Sequence, residues 1–436
     1  MYLTGRSALL AALAGVALLT SPGWASLLLV NAVVLLLVGA DVALTAGVRE
    51  LVITREGDTA VRLGEPASTT LTVTNPGRRP ARGVLRDAWE PSAGSDGGRV
   101  ALHVPAGERQ RLTVPLLPTR RGDRHAVRVT VRTRGPLGLA GRQGRHVVPG
   151  RLRVLPGFGS RRLLPERLRR LRVVQGQVAA RGAGRGSETD GLRVWSDGDD
   201  ARDVDWRASA RARDLVVRVQ RPERDRRVVL CLDSGRTSAT RIGDATRLDH
   251  AYDAALLLTA LAERARDRVD LIVHDAVLRA DVPGTGRGSV LRRQADVMAV
   301  IDPALVECDH RALAARLLAR LPRRALIVLV TDLLGPVVEE SLLPVLPALV
   351  ARHTVLVAAA SDPALQVLAR DAAPGSTAAR VEAVHESAAA RRALTDRARV
   401  AAGLRRAGVV VVDVPADALP AALADAYLQL KAAGKL

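Results

Sequence analysis

The apolar positions of this chain fall into three regimes in succession. Ser7 to Thr20 (SALLAALAGVALLT) carries no charge, Ser21-Pro22-Gly23 signals a turn, and Trp24 to Leu44 is a second apolar run interrupted only by Asn31 and Asp41. About 20 helical residues span a hydrocarbon core of ~30 Å, so the second run is long enough, and the first only if it extends from about Tyr2 through Trp24. The pattern predicts an N-terminal transmembrane helical hairpin over residues 1–48. A cleaved secretory leader is the alternative for the first run, yet cleavage after the Pro-Gly turn would leave another hydrophobic segment at the new N-terminus. Arg6 precedes the pair while Arg49 and Arg55 follow it. The positive-inside bias then puts both ends in the cytoplasm, which makes a cell-membrane protein of two helices with the bulk of the chain cytoplasmic. Asp41 reads as a boundary residue at the cytoplasmic end of the second helix.

From Leu51 to Val154 the period shortens to two. Thr69–Thr74, Arg99–Val104, Gln110–Val114 and His125–Val131 alternate apolar with polar residues, as half-buried strands do. Asn75-Pro76-Gly77, Pro91-Ser92-Ala93-Gly94 and Pro105-Ala106-Gly107 supply the turns, because Pro fixes φ and Gly or Asn tolerates positive φ. This predicts a small antiparallel β-sandwich over residues 49–156. Residues 157–224 form a linker and polar segment. Beyond it, apolar runs at Val228–Leu232, Val269–Val273, Ala325–Val330, Thr354–Ala358 and Val409–Val412 alternate with helical patterns. Those patterns cover Leu248–Ala265, Ser289–Val300, Arg311–Leu321, Val337–Ala351, Ser387–Ala407 and Ala416–Ala433. Uniformly apolar strands between amphipathic helices predict an α/β doubly wound domain over residues 225–436. The fold class is multidomain.

Composition changes this picture in two places. Aromatic residues are 2% of the 436, so the cores must be aliphatic, and the scarcity argues against stacking platforms for single-stranded nucleic acid. A formal charge of +20 points toward nucleic acid or an anionic membrane, but Lys431 and Lys435 are the only lysines. Arginine rich in company with Ala, Gly, Val and Leu is a GC-rich coding bias first. Nucleic acid is therefore not expected as a partner, while the lipid membrane is, through the hairpin. Cys231 and Cys308 read as buried or free thiols of a reducing compartment. With no lysine before residue 431 there is no phosphate-binding GxxxxGK loop, and Gly284-Thr285-Gly286-Arg287-Gly288-Ser289 does not fit the dinucleotide fingerprint.

Ligands of doubly wound folds bind outside the carboxyl ends of the strands, and two strands here end in aspartate, at Asp233 and Asp332. With Ser234 and Thr237 beside Asp233, these hard oxygens suit Mg²⁺ or Mn²⁺. Capping of the following helices is the equal alternative. Thr285 or Ser289 could add a hydroxyl there. The densest polar stretch runs from Gly184 to Arg224. Asp197, Asp199, Asp200, Asp203 and Asp205 fall there within nine residues, among Arg193, Arg202, Arg207, Arg211, Arg213 and Arg218. Carboxylates so close could hold two metals for a hydrolase. Arginines in nearly equal number favour ion-pair networks instead. Trp206 reads as a structural anchor among them.

The order G-R-G-S-E, L-R-V-W-x-x-G-D-D-A-R-D-V-D-W-R-A-S-A-R, L-V-V-R and P-E-R-D closely resembles the signature of the bacterial domain-of-unknown-function fifty-eight family. That family is a membrane-anchored relative of von Willebrand factor type A domains. The Arg120-Arg121-Gly122 and Gly135-Pro136-Leu137-Gly138-Leu139 pieces also look like its pattern. The resemblance implies a von Willebrand factor A-like domain at 225–436, with Asp233, Thr237 and Asp332 as a metal-ion-dependent adhesion site. Gly235 stands where the first ligating Ser should be, Ser234 is one place out of register, and Arg236 adds a positive charge. It also implies a MoxR-type AAA+ ATPase as partner in the assembly or maturation of other proteins. The expectation is thus a non-enzymatic membrane-anchored adaptor, with Asp199, Asp200, Arg202, Asp205, Trp206, Arg207 and Arg211 as a docking surface. The metal-dependent hydrolase on Asp197–Asp205 is the alternative.

Overall fold

The computed structural model describes the chain except residues 21–22, 182–187, 197–200, 202–203, 222–225, 287 and 371–376. It divides into two compact units, Met1–Leu155 and Pro156–Leu436.

In the first unit, β1 (Tyr2–Leu3) is followed by α1 (Gly5–Thr20) and α2 (Trp24–Leu44). Nine strands come next: β2 (Val52–Gly57), β3 (Ala60–Arg62), β4 (Ala67–Thr74), β5 (Ala81–Trp89), β6 (Arg99–Val104), β7 (Arg109–Leu116), β8 (Gly122–Arg134), β9 (Ala140–His146) and β10 (Arg151–Leu155). The expected two-helix transmembrane hairpin does not stand. Tyr2 and Leu3 pair with Gly141 and Ala140 of β9, so the first helix begins only at Gly5. It has 16 residues, about 24 Å at 1.5 Å per residue, short of the hydrocarbon thickness. Among the described residues one helix, Trp24–Glu50, is long and apolar enough to cross a membrane. The multi-pass topology, the cytoplasmic placement built on it and the membrane contact through a hairpin fall together.

The antiparallel sandwich needs correction too. The strands form a seven-stranded sheet and a three-stranded one, β2-β4-β7. The larger sheet is mixed, because β10 runs parallel to β3 while pairing antiparallel with β8. Period two holds where it was read: β4 buries every other residue, and Leu71 and Val73 join Leu85, Leu102, Val129 and Val131 in one core. Asp41 is no boundary residue. It is fully buried, and its carboxylate accepts the amides of Leu137, Leu139 and Ala140 at 2.7–2.8 Å. A Cβ on Gly135 would stand 2.1 Å from that carboxylate, which is why the 135–140 loop opens on glycine. Beside this, Arg55 grips buried Asp87 with two bonds of 2.7 Å, and Trp89 donates to the same carboxylate.

The second unit opens with α3 (Leu164–Arg181), then β11 (Glu188–Val194), α4 (Trp206–Ala212) and β12 (Val216–Arg221). Next come β13 (Arg227–Asp233), the short ribbon β14 (Arg241–Ile242) with β15 (Ala245–Thr246), α5 (Arg247–Arg264), β16 (Arg268–His274) and β17 (Leu278–Val282). The remainder is α6 (Val290–Val300), α7 (His310–Arg320), β18 (Leu326–Val330), α8 (Gly335–Val337), α9 (Leu346–Val350), β19 (Thr354–Ser361), α10 (Pro363–Arg370), α11 (Thr377–Arg406), β20 (Val410–Pro415) and α12 (Leu419–Ala432). The sheet order is β17-β16-β13-β18-β19-β20, parallel except for β17. The α/β reading holds for this region, and the edge strand β17 was not foreseen. The helix expected over Val337–Ala351 breaks into short turns, because Pro344 and Pro347 lack the amide that would carry a helix through. One sheet face packs Val229, Cys231 and Ile272 against Leu313 and Leu317 of α7. Thr246 and Asp249 close a reciprocal cap at the start of α5.

Candidate functional site

The first strand of this sheet, β13, lies between β16 and β18, so successive connections leave it in opposite directions. Such a point opens a crevice at the carboxyl ends of the strands. Asp233 ends β13, and Thr331 and Asp332 follow β18. The sequence thus located the crevice, but its contents differ from a metal cage.

Asp233 is satisfied by its own neighbourhood. One carboxylate oxygen accepts the Gly235 amide at 2.7 Å; the other accepts the hydroxyls of Thr331 at 2.7 Å and Thr237 at 3.5 Å. Asp332 turns to two guanidinium groups. Arg247 lies 3.0 Å from one oxygen, and Arg397 binds the other and continues to Asp413 at 2.7 Å. Arg247 also donates to the Thr237 carbonyl. A guanidinium therefore bridges Thr237 and Asp332, the two groups expected to share a cation with Asp233. Burial lowers the pKa of Arg247, partly offset by Asp332. Burial also opposes the charge of Arg397, but Asp332 and Asp413 outweigh it and its pKa is raised. The cleft among Ser238, Arg247 and Thr331 measures about 10 Å³, room for about one water.

Gly235 is explained by close approach. A Cβ there would meet the Val306 carbonyl at 2.7 Å and the Asp233 carboxylate at 2.9 Å. The 304–308 segment is laced to this loop by Arg236 N to Val306 O at 2.8 Å and Ala304 N to Ser234 O at 2.7 Å. Ser234 turns away to Asp275 at 3.0 Å, and Arg236 pairs at the surface with Glu307. Thr285 and Ser289 do not reach this end. Gly284 donates to Asp270 near the start of β16, and Ser289 stands at the N-terminal end of α6 with its hydroxyl 3.5 Å from Glu263, at the other end of the sheet.

The 304–308 segment brings in residues the sequence reading did not assemble. Ligand atoms of Asp233, Cys308 and His310 lie within 4.8 Å of one another, and all three residues are buried. This trio could hold a metal ion. Ser341 donates its hydroxyl to the Val337 carbonyl at 2.7 Å, so it accepts from Nδ1–H of His310 at 2.8 Å. That leaves Nε2 of His310 with the free lone pair. Burial lowers the pKa of His310 and pushes the Cys308 thiol far up, Asp233 adding to the latter. His274, paired with Asp233 across β13 and β16, is also buried, and its Nδ1 has no hydrogen-bond partner. Burial holds His274 toward its neutral form. The signal in the sequence was the pairing of Cys308 with His310, two residues apart. Nothing local tied either to Asp233, which lies 75 residues before Cys308.

The polar segment forms a separate small element. Strands β11 and β12 make an antiparallel ribbon, and α4 is tied to it by Asp205 N to Val216 O at 2.8 Å and by Ser209 on both sides of Val216. Asp205 is the N-cap of α4, accepting the amides of Arg207 and Ala208 at 3.0 Å. Asp197, Asp199, Asp200, Arg202 and Asp203 lie outside the described residues. Trp206, expected as a structural anchor and also as part of the docking surface, is 70% exposed and so is not a buried anchor. Leu192, Val194 and Leu215 on the same ribbon are exposed as well, as are Arg207 and Arg211 of α4.

Residues 191–402 match the family model described as protein of unknown function DUF58. Uncharacterized proteins of Mycobacterium tuberculosis and Mycobacterium bovis are 29% identical over 184 residues, covering 41% of this chain and 56% of theirs. The chain thus spans little more than half the length of these curated relatives. Among solved structures, the SpRpn10 VWA domain covers 46% of this chain and 94% of its own, at 10% identity and a TM-score of 0.27. The CARDB domain of a Pyrococcus furiosus protein, crystallised with di-metal ions, covers 24% and 87% at 16% identity and a TM-score of 0.18. Both structural likenesses are slight. None of these proteins is described as acting with an ATPase, and the MoxR-type partner is not carried further.

Proposed function

We propose that the unit from residue 156 to 436 is a protein-interaction module without enzymatic activity, whose docking element is the β11–α4–β12 segment. The observation that carries this reading is the exposure of Trp206, 70% accessible at the head of α4 beside Arg207 and Arg211. Trp and Arg are enriched among residues that dominate binding energy, and an exposed tryptophan with Leu192, Val194 and Leu215 nearby is costly unless covered. The complementary partner has an apolar pocket flanked by carboxylates. The test places a photocrosslinking residue at position 206 of the full chain in its own cells. A single reproducible adduct, lost in Leu215→Ser, supports the reading. Phosphoester hydrolysis by the wild-type chain that Asp205→Asn abolishes would sink it in favour of the hydrolase.

Within this reading the module needs no Mg²⁺ or Mn²⁺ at Asp233, Thr237 and Asp332, because Arg247 and Arg397 already neutralise Asp332. A metal, where one binds, is of the zinc class. Thiolate and imidazole with one carboxylate match zinc's usual donors better than magnesium's oxygens. An ion at about 100 times its Kd stabilises the native state by about 2.7 kcal/mol. Thermal melts should therefore rise with Zn²⁺ but not Mg²⁺, and the rise should vanish in Cys308→Ala. A rise with Mg²⁺ lost in Asp332→Ala would restore the oxygen site.

A further inference from the structure

The outer face of the seven-stranded sheet in residues 1–155 carries arginine in register across four strands. Strand alternation turns Leu85, Val129 and Val131 inward and Arg86, Arg128, Thr130, Arg132 and Arg134 outward. Arg99 of β6 stands opposite Arg86 of β5, Arg86 opposite Thr130 of β8, and Thr130 opposite Arg145 of β9. The adjacent row places Arg132 opposite Gln143, to which it donates at 2.7 Å, and over the Tyr2 ring at 5.6 Å. These side chains line a cleft of about 280 Å³ that contains no carboxylate. Among the described residues, no acidic side chain pairs with Arg86, Arg99, Arg128, Arg134 or Arg145.

Like charges directly opposed destabilise a sheet, and an acid at one of these outward positions would relieve them. We propose that this face binds a small soluble anion carrying two or more phosphate groups. Guanidinium forks meet phosphate oxygens bidentately, and several forks facing one cleft suit a ligand with several such groups. Thr130 and Gln143 add uncharged hydrogen-bonding groups to the same floor. The cleft is of small-molecule size. Its one aromatic ring, Tyr2, is already covered by Arg132, so no free ring is offered to a nucleic-acid base. Nor does the lining present the Trp, Phe and Leu with which interfacial segments enter a lipid surface.

The test is calorimetric titration of the full-length chain with sodium tripolyphosphate at constant ionic strength. Three proteins are compared: wild type, Arg86→Gln/Arg99→Gln, and a control, Arg109→Gln/Arg111→Gln, whose changes lie on exposed positions of β7. The first double variant should bind about tenfold or more weakly, the loss of at least one charge-assisted hydrogen bond, while the control matches wild type. A melt of each variant separates lost binding from lost folding, and Arg145→Gln gives a second reading if the double variant melts early. Equal affinity in all proteins overturns the proposal. So does capture of phosphatidylglycerol vesicles or a single-stranded oligonucleotide that tripolyphosphate fails to displace.

Discussion

At the carboxyl end of the α/β sheet the arginines are matched: Arg247 and Arg397 divide Asp332 between them, and Arg397 continues to Asp413. On the outer face of the β-rich unit they are unmatched, and Arg86 faces Arg99 across a strand pair. The same residue type is structural in one place and available in the other. What separates them is the supply of carboxylates within reach, which net charge does not reveal. A buried guanidinium without a partner would be prohibitive, so burial selects for pairing. An exposed one is hydrated and tolerable, so a surface row can be left open for a ligand.

The matched arginines depend on Asp332. Asp332→Ala removes the carboxylate that both guanidinium groups share, leaving Arg397 with Asp413 and Arg247 with the carbonyls of Thr237 and Ala360, and should cost about 3 kcal/mol in chemical denaturation, the low end for a broken buried pair. A cost below about 1 kcal/mol would mean that the pairs do not hold the crevice closed. Asp41 sharpens the other side, since the β-rich unit also buries a carboxylate but satisfies it with amides. Gly135→Ala pushes a methyl group into that carboxylate and should destabilise by about 1–3 kcal/mol, with the melt of this unit as the readout. Relieving the unmatched row has the opposite sign. Arg99→Glu opposite Arg86 should stabilise the ligand-free chain by roughly 0.2–1 kcal/mol while weakening anion binding.

The smallest effect concerns a buried group with no partner at all. His353 is 3% exposed and neither ring nitrogen has a hydrogen bond. Burial, with Arg352 and Arg324 nearby, lowers its pKa below the ordinary 6.5. Below about pH 6.5 the unfolded chain therefore takes up the proton first, and stability falls as the pH drops. His353→Leu should melt higher than wild type and lose less between about pH 7 and pH 5. A parallel pH dependence in both proteins would mean that His353 contributes nothing to the pH dependence of stability.

Much of this was legible along the chain. Strand runs such as Val228–Leu232 and Thr354–Ala358 announce themselves because a strand covered on both faces must be apolar throughout, and the two strand-ending aspartates followed from the same pattern. Alternation in Thr69–Thr74 likewise marked a half-buried strand. The N-terminal helix was misjudged because hydropathy cannot see that Tyr2 and Leu3 are held by β9. Trp206 as a structural anchor did not hold for a related reason: a large ring is usually buried, but a short helix riding on a two-stranded ribbon has no interior to receive it, and its membership of the docking set was a separate expectation.

Local pattern determined where the central strands and the longer helices form, since the period of burial is written in neighbouring residues, while the edge strand β17 and the broken 337–351 stretch were not in it. Partnership was decided by tertiary structure alone. Asp332 met Arg247 and Arg397, Asp233 met Cys308 and His310, and Arg86 met Arg99. Each of these pairings joins residues distant in sequence, brought together by sheet order and register. The charge on a side chain is local, but its counterion is chosen by the fold.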